Sequence, residues 1–519
     1  MPTPGPTAAA VPGLRRNMVT ICAMTATIMQ ALDTTIANVA LPYMQGTLSA
    51  SQDQINWVLT SYIVAAAIMT APVGWIANRF GRKRIFIICS AGFTIASVMC
   101  GLAQDITQMV LFRLLQGVFG AALVPLSQAV MLDSYALHER AKAMAIWGMG
   151  VMMGPIMGPS LGAWLTETYS WHWVFFVNLP FGIFTVLGLV IFMDETKTNQ
   201  ELRFDWLGFT ALAVAIGSLQ LALDRGEQLG WLESNEIIAE FVIAAVGFYY
   251  FFAHSLTTSK PFIQFALFKD RNFVGGCVFM AVMGMVLFST MALSSPFLQN
   301  VIGYPIITAG VLLATRGCGT FVAMMLVGRM MRFVEARNLI ITGLSITALS
   351  LFYMTGWTDQ TGVNEIVVIS VLQGFGFGLV FVPLSTVAFL TLPNHLRTDG
   401  TSMLTLMRNV ASSVGISVVI SQLTEGSRRV YANLSEHVTP FNHAMQMPNV
   451  RGMIDMGTDT GRAMADAMVK VQAQIIAFSQ DYQLVLLFIL VSIPLTIMIG
   501  STKAALRAQS AAPDHAVIE

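Results

Sequence analysis

The chain has 519 residues, of which 55% are hydrophobic and only 11% charged, and its mean hydropathy is +0.67. That leaves far too little polar surface for a soluble globule of this size, so soluble enzymes and binding modules are excluded in favour of an integral membrane protein. Lys plus Arg equals Asp plus Glu at 28 each, so bulk charge points to neither nucleic acid nor an acidic partner.

Apolar runs of about twenty residues, each able to cross roughly 30 Å of hydrocarbon as a helix, recur along nearly the whole chain. A membrane barrel would instead show short alternating segments, so the spans are helical. Fourteen are predicted, at 18–41, 54–77, 84–103, 107–131, 141–165, 173–193, 206–224, 236–254, 273–298, 305–327, 338–356, 365–390, 401–423 and 482–502. The tail 1–17 is Pro/Ala-rich, and the apolar run after it exceeds a signal-peptide core, so the first span is read as uncleaved. Near its end, in "QALDTTIANVALP" (30–42), stands one ionisable residue, Asp33.

Between spans two and three lies "GWIANRFGRKR" (74–84). Gly74 and Gly81 permit a close helix end and a tight turn. Arg79, Arg82, Lys83 and Arg84 supply donors to carboxylates or lipid phosphates, and the last three also serve to fix topology. Span four carries Arg113. Span five carries "GMGVMMGPIMGPSLG", with Gly150, Gly154, Gly158 and Gly162 at every fourth position and Pro155 and Pro159 between them. Such a stripe lets another helix approach closely, and the prolines favour a kink.

Arg316 falls near the middle of span ten, where an anionic or carbonyl substrate, or backbone carbonyls of neighbouring helices, would use it. Arg408, near the inner end of span thirteen, reads as structural or gating. A polar, partly helix-patterned segment at about 424–481 ("GRAMADAMVKVQAQIIAFSQ") reads as a long loop, either an adaptor-docking surface or an exposed extension of the last span. The five cysteines are scattered through apolar runs and match neither a disulfide framework nor a metal site, so they read as small buried hydrophobes and no metal or cofactor is expected. No nucleophile or metal-ligand motif of an embedded enzyme is present, and nothing resembles a channel filter.

With the N-terminus inside, the basic loop residues gather on that side, leaving Arg225 and five in the long loop on the other. The positive-inside rule discounts long loops, so both termini are predicted to be cytoplasmic. "LLQGVFGAALVPLSQAV" (114–130) recurs as "VLQGFGFGLVFVPLSTVAF" (371–389), so the fourth span corresponds to the twelfth. The organisation read from this is a six-helix bundle at 18–193, two inserted helices at 206–254, a second six-helix bundle at 273–502 and a tail at 503–519. Parallel six-helix halves are common in secondary transporters, with the substrate at their interface.

Taken together, "LDTTIANVALP", "GWIANRFGRKR", "RLLQGVFGAALVPLSQ" and "GVMMGPIMGPSLG" resemble the signatures of the major facilitator superfamily, specifically its fourteen-helix drug:proton antiporters of the EmrB type. The resemblance implies proton-driven export of amphipathic compounds from the bacterial inner membrane, in partnership with a periplasmic adaptor and an outer-membrane channel. It assigns Asp33 and Arg113 to proton coupling, Gly74, Arg79, Gly81 and Arg82 to gating, and Gly150, Gly154, Pro155 and Gly158 to the antiporter helix. Asn78 stands where the family commonly has an aspartate, so a charge network anchored there must be weaker or rebuilt. A substrate-specific exporter of a fatty acid, siderophore or aromatic toxin on the same fold is the alternative.

Asp33 and Arg113 both lie roughly 10 to 12 Å below the same membrane surface at 1.5 Å per residue, so they meet if their helices adjoin. An ionised carboxylate there costs about 2.5 to 3.5 kcal/mol unless paired or hydrated, and protonation removes that cost. An aspartate alternating between an arginine and a proton would couple protonation to access, whereas a permanent pair would only hold the first half together. Arg113 aligns with Ser370 in the repeat, so coupling is expected mainly in the first half, with Arg316 and Arg408 left for substrate or gating.

Overall fold

The computed structural model describes residues 13–500, apart from 137–138, 197, 201–202, 259–260, 440–441, 444–446, 448–453 and 455, and the side chains of Gln52, Asp53 and Asn394. The predicted tails 1–17 and 503–519 therefore lie outside the described residues, except for 13–17. The described chain is helical from end to end. Without water to bond, backbone amides and carbonyls in hydrocarbon must pair within their own segment.

In chain order the helices are α1 (Gly13–Thr47), α2 (Gln52–Thr70), α3 (Val73–Phe80), α4 (Arg82–Gly101), α5 (Ile106–Gly120), α6 (Leu123–Ser134), α7 (Arg140–Thr168), α8 (Trp173–Phe176) and α9 (Asn178–Phe192). They continue with α10 (Trp206–Leu229), α11 (Asn235–Thr257), α12 (Arg271–Pro296), α13 (Ile306–Met330), α14 (Ala336–Met354), α15 (Val363–Val387), α16 (Arg397–Ser435) and α17 (Asp459–Leu495). Among the described residues 13 helices are long and apolar enough to cross a membrane, and 14 spans result when the bent pair α2–α3 counts as one. That pair bends by 56° around Pro72. Proline lacks the amide hydrogen and its ring clashes with the carbonyl one turn earlier, so a span read as continuous is broken there.

Local chemistry sets the starts of several helices. Ser51 and Gln54 form a capping box on α2, with the Gln54 amide donating to Ser51 Oγ (3.3 Å) and the Ser51 amide donating to Gln54 Oε1 (3.0 Å). Asp105, Asp205, Asp270 and Thr458 accept first-turn amides of α5, α10, α12 and α17. Gly81 turns the chain between α3 and α4 at φ +96°, a conformation that favours glycine.

Helices α1–α9 pack chiefly among themselves, as do α12–α17, and the two groups meet where α7 lies along α13 and α15 and where α16 crosses α3 and α6. The inserted pair α10–α11 packs as a hairpin, with α10 laid against both α2 and α16. Gln220 Nε2 donates to Ser413 Oγ (2.8 Å) and Ser417 Oγ donates to Leu223 O (2.9 Å), so α10 fills the seam between the groups. Outward-facing Val242, Val246, Tyr249 and Phe252 of α11 are exposed, as befits a lipid-facing helix.

Two sequence expectations need correction. The segment 424–481 is not a continuous loop: α17 begins at Asp459, in line with the reading as an extension of the last span, and α16 also runs on to Ser435. Polarity ended the apolar window without ending the helix, because water-exposed turns gain i,i+4 pairs such as Lys470–Asp466 (2.7 Å). Tyr431 Oη donates to Asp466 Oδ1 (2.5 Å) and ties the two extensions together. Not all cysteines are buried either, since Cys318 is exposed on the outside of α13.

Candidate functional site

Asp33 and Arg113 meet in the core of the first group, both fully buried. Arg113 Nη1 donates to Asp33 Oδ2 at 2.7 Å, and Gln116 Nε2 (2.8 Å) and Asn178 Nδ2 (3.2 Å) both donate to Asp33 Oδ1. Arg113 also donates from Nε to Val58 O (3.0 Å) and from Nη1 to Gln116 Oε1 (2.8 Å), and its guanidinium lies 4.2 Å from the centre of the Tyr62 ring. Three donors on one carboxylate is the arrangement that makes an ionised aspartate tolerable away from water. Gln116, three residues past Arg113, shares its helix face, a spacing visible in the sequence. Asn178 comes from another helix and no sequence signal placed it.

The pair does not line the central cavity. That cavity, about 150 Å³, lies between the groups and is walled by Gln30, Tyr62 and Pro155 on one side, Arg408 and Asn409 on the other, and Gln220 of α10 at the seam. Tyr62 separates it from the pair: one ring face covers Arg113, while its hydroxyl lies 3.3 Å from Gln30 Nε2 on the cavity wall. A change at Asp33 therefore has one aromatic side chain to act through before it reaches the cavity.

Gly150, Gly154, Gly158 and Gly162 form the contact of α7 on α1. A Cβ at Gly154 would collide with the backbone carbonyl of Ala31, at Gly158 with the Thr35 hydroxyl, and at Gly162 it would lie 2.8 Å from Ile36 O. Thr35 Oγ donates to Gly154 O (3.0 Å), a bond that only such an approach permits. Ala31 and Thr35 flank Asp33 on α1, so the stripe fixes the backbone that carries the carboxylate.

The Gly74–Arg84 motif lies at the end of the bundle that also holds the start of α1 and the end of the last helix. There Arg82 of α4 and Arg397 of α16 both bond Asp133 of α6, the latter at 2.8 Å. Asn78 Nδ2 donates to Asp399 Oδ2 of α16 at 3.4 Å, and a Cβ at Gly74 would lie 2.7 Å from the Asp399 Cα. The acidic partners that close this end are thus Asp133 and Asp399, neither of which the sequence motif contains. Gly81 permits the turn that brings the Glu195 carboxylate onto the amides of Lys83 (3.1 Å) and Arg84 (3.2 Å) at the start of α4. Arg79 Nη1 donates to Gln200 O.

Of the remaining arginines, Arg408 lines the cavity, and among the described residues its side chain donates only to the side-chain oxygen of its neighbour Asn409, 3.3 Å from Nη2. Arg316 lies deeper, at an adjoining hollow shared with Met152, Pro155 and Leu287. Its Nη1 approaches Thr290 Oγ1 (3.4 Å), while Nε and Nη2 have no hydrogen-bond partner among the described residues. It does not bond backbone carbonyls there.

Comparison with known proteins agrees with this architecture. The model of the Major Facilitator Superfamily matches residues 23–416. The chain is 34% identical over 467 residues to the multidrug export protein EmrB of Escherichia coli strain K12, covering 89% of this chain and 90% of that protein. It is 34% identical over 426 residues to the fatty acid resistance protein FarB of Neisseria gonorrhoeae, covering 82% and 84%. Among solved structures, the proton:xylose symporter XylE superposes with a TM-score of 0.58 at 14% identity, over 94% of this chain and 97% of that one. The human organic anion transporter MFSD10 does so at 0.57 and 12%, over 91% and 99%. With its helices, its repeat and these relatives in agreement, the chain belongs to the major facilitator superfamily, among the relatives of EmrB.

Proposed function

We propose that this protein is a proton-coupled antiporter that exports amphipathic small molecules across the bacterial inner membrane. The observation that carries this reading is the placement of the Asp33–Arg113 pair one side chain, Tyr62, behind a largely apolar cavity between the two six-helix groups. Protonating Asp33 would remove the charge that holds Arg113, Gln116 and Asn178, and the released guanidinium would draw on Tyr62 and so on the cavity wall. The bonds of Asp133 with Arg82 and Arg397, and of Asp399 with Asn78, would then form and break as the end bearing the termini closes and opens. The name of EmrB, a multidrug export protein, supports export, and that of FarB, a fatty acid resistance protein, is in keeping with an amphipathic substrate. Both termini are taken as cytoplasmic, and the polar extensions of α16 and α17 as the part that meets a periplasmic adaptor, with an outer-membrane channel beyond it.

A second reading is favoured by Arg408. It is the only charged side chain among the cavity-lining residues, so an exporter selective for amphipathic carboxylates, fatty acids among them, would find its counter-charge there. Both readings are tested by inverted membrane vesicles containing the protein and given an interior-acid pH gradient. Uphill uptake of an amphipathic dye or fatty acid, abolished by a protonophore, is expected; uptake indifferent to the gradient would refute proton coupling.

A further inference from the structure

Among the described residues two acidic side chains are fully buried, Asp33 and Asp481, one in each half. Their surroundings are opposite. Asp33 has an arginine and two amides, while neither carboxylate oxygen of Asp481 has a hydrogen-bond partner among the described residues. Asp481 belongs to α17, which packs on α12, α14 and α16. None of these helices presents a charge to it among the described residues; the titratable group beside it is Tyr482, which is also within electrostatic range of Arg316 of α13. An ionised carboxylate with no donor and no counter-charge is among the most costly groups a protein interior can hold, and the inexpensive form is the neutral acid.

A polar path leads from this corner to the cavity. Tyr482 Oη lies 3.3 Å from Ser294 Oγ, which donates to Thr290 O (2.6 Å), and Thr290 Oγ1 lies 3.4 Å from Arg316 Nη1. Arg316, short of partners itself, lines the hollow next to the main cavity. The second half thus holds a buried cation at one end of a chain of polar contacts whose other end, Tyr482, is the sequence neighbour of the buried acid and within its electrostatic range, where the first half holds acid and cation in contact.

We propose that Asp481 is a second proton-binding carboxylate of the transport cycle, carrying its proton in this conformation and communicating with Arg316 through Tyr482, Ser294 and Thr290. Binding joins one proton to one carboxylate oxygen, and release returns it to water. The neutral acid accounts for the absence of a counter-ion here. The conformation that releases the proton must supply donors or water to the carboxylate. This inference rests on the proton-coupled reading above, but its first test does not.

The first test is infrared spectroscopy of the purified full-length protein at neutral pH, comparing wild type with Asp481→Asn and with Asp33→Asn. A protonated carboxylic acid gives a C=O stretch separate from that of a carboxylate. Wild type is expected to show this band, Asp481→Asn to lose it and Asp33→Asn to keep it. Its full persistence in Asp481→Asn would overturn the proposal. The second test is steady-state accumulation in inverted vesicles at several imposed pH gradients. Each coupled proton contributes a factor of about ten per pH unit, so Asp481→Asn should accumulate about tenfold less per unit than wild type, while still binding substrate without a gradient. Wild-type accumulation by Asp481→Asn at equal expression would overturn the assignment. Asp481→Glu, which keeps an acid, should restore the slope if the variant's loss is not one of folding. Failure of the wild type itself to respond to the gradient would refute the coupled reading instead, and the infrared band would still report on Asp481.

Discussion

At the scale of single residues, the few charges held inside the helix bundle stand in different environments. Asp33 is saturated with donors, Asp481 has none among the described residues, Arg113 is fully engaged, and Arg408 faces the cavity beside Asn409. Hydrogen bonds to a charged partner contribute about 1.5 to 3 kcal/mol, so Arg408→Gln should weaken binding of an amphipathic carboxylate about ten- to hundredfold. It should leave the corresponding neutral alcohol nearly unchanged. Equilibrium binding of both ligands to purified protein checks this, and an equal loss for both would remove Arg408 from substrate selection. The Asp33–Arg113 contact was legible beforehand because two costly residues stood at matching depths. Asn178 and Asp481 were not: the first depends on how α9 rotates, and the second stands at the polar edge of its apolar run, where an acid looks ordinary.

At the scale of elements, the glycine stripe of α7 is the clearest translation of spacing into packing. Four glycines one turn apart give a flat face, and the backbone of α1 lies against it closely enough for Thr35 to bond Gly154 O. Gly154→Leu should therefore insert into the membrane and express normally yet lose transport, with Gly154→Ala showing a smaller loss in the same direction. Drug resistance of cells carrying each variant, beside its membrane abundance, gives the measurement; full resistance in the leucine variant would show that close contact is dispensable. Other elements followed the sequence less closely. The kink at Pro72 was hidden because hydropathy does not register a missing amide, and the extension of α16 was hidden because a polar helix and a polar loop have similar composition, whereas the helix patterning left the extension of α17 as one of two readings. The closing network at the motif end was half legible: Arg82 was visible, whereas Asp133 and Asp399 come from α6 and α16, distant in sequence.

At the scale of the whole molecule, the repeat and the basic loops led to the two-group architecture, since duplicated "QG" and "PLS" positions mark equivalent helices. Orientation gives a direct expectation. In intact cells Gly457→Cys should react with an impermeant thiol reagent and Thr198→Cys should not, and the reverse pattern would invert the topology. The position of α10 against both α2 and α16 had no counterpart in the sequence, because nothing in its composition tells a seam-filling helix from a peripheral one.

The proposed coupling through Asp33 joins the three scales, and replacing one side chain examines it. Asp33→Asn keeps size and hydrogen bonding while removing the titrating group, so it should still bind substrate yet fail to accumulate it under an imposed pH gradient in inverted vesicles. The paired exchange Asp33→Arg with Arg113→Asp should recover assembly but not transport, because the carboxylate then sits on another helix; recovery of both would make the pair a structural tie. The decisive measurement is gradient-driven accumulation by Asp33→Asn at wild-type expression. Loss of accumulation with retained binding is predicted, and accumulation at the wild-type rate would contradict proton coupling through Asp33.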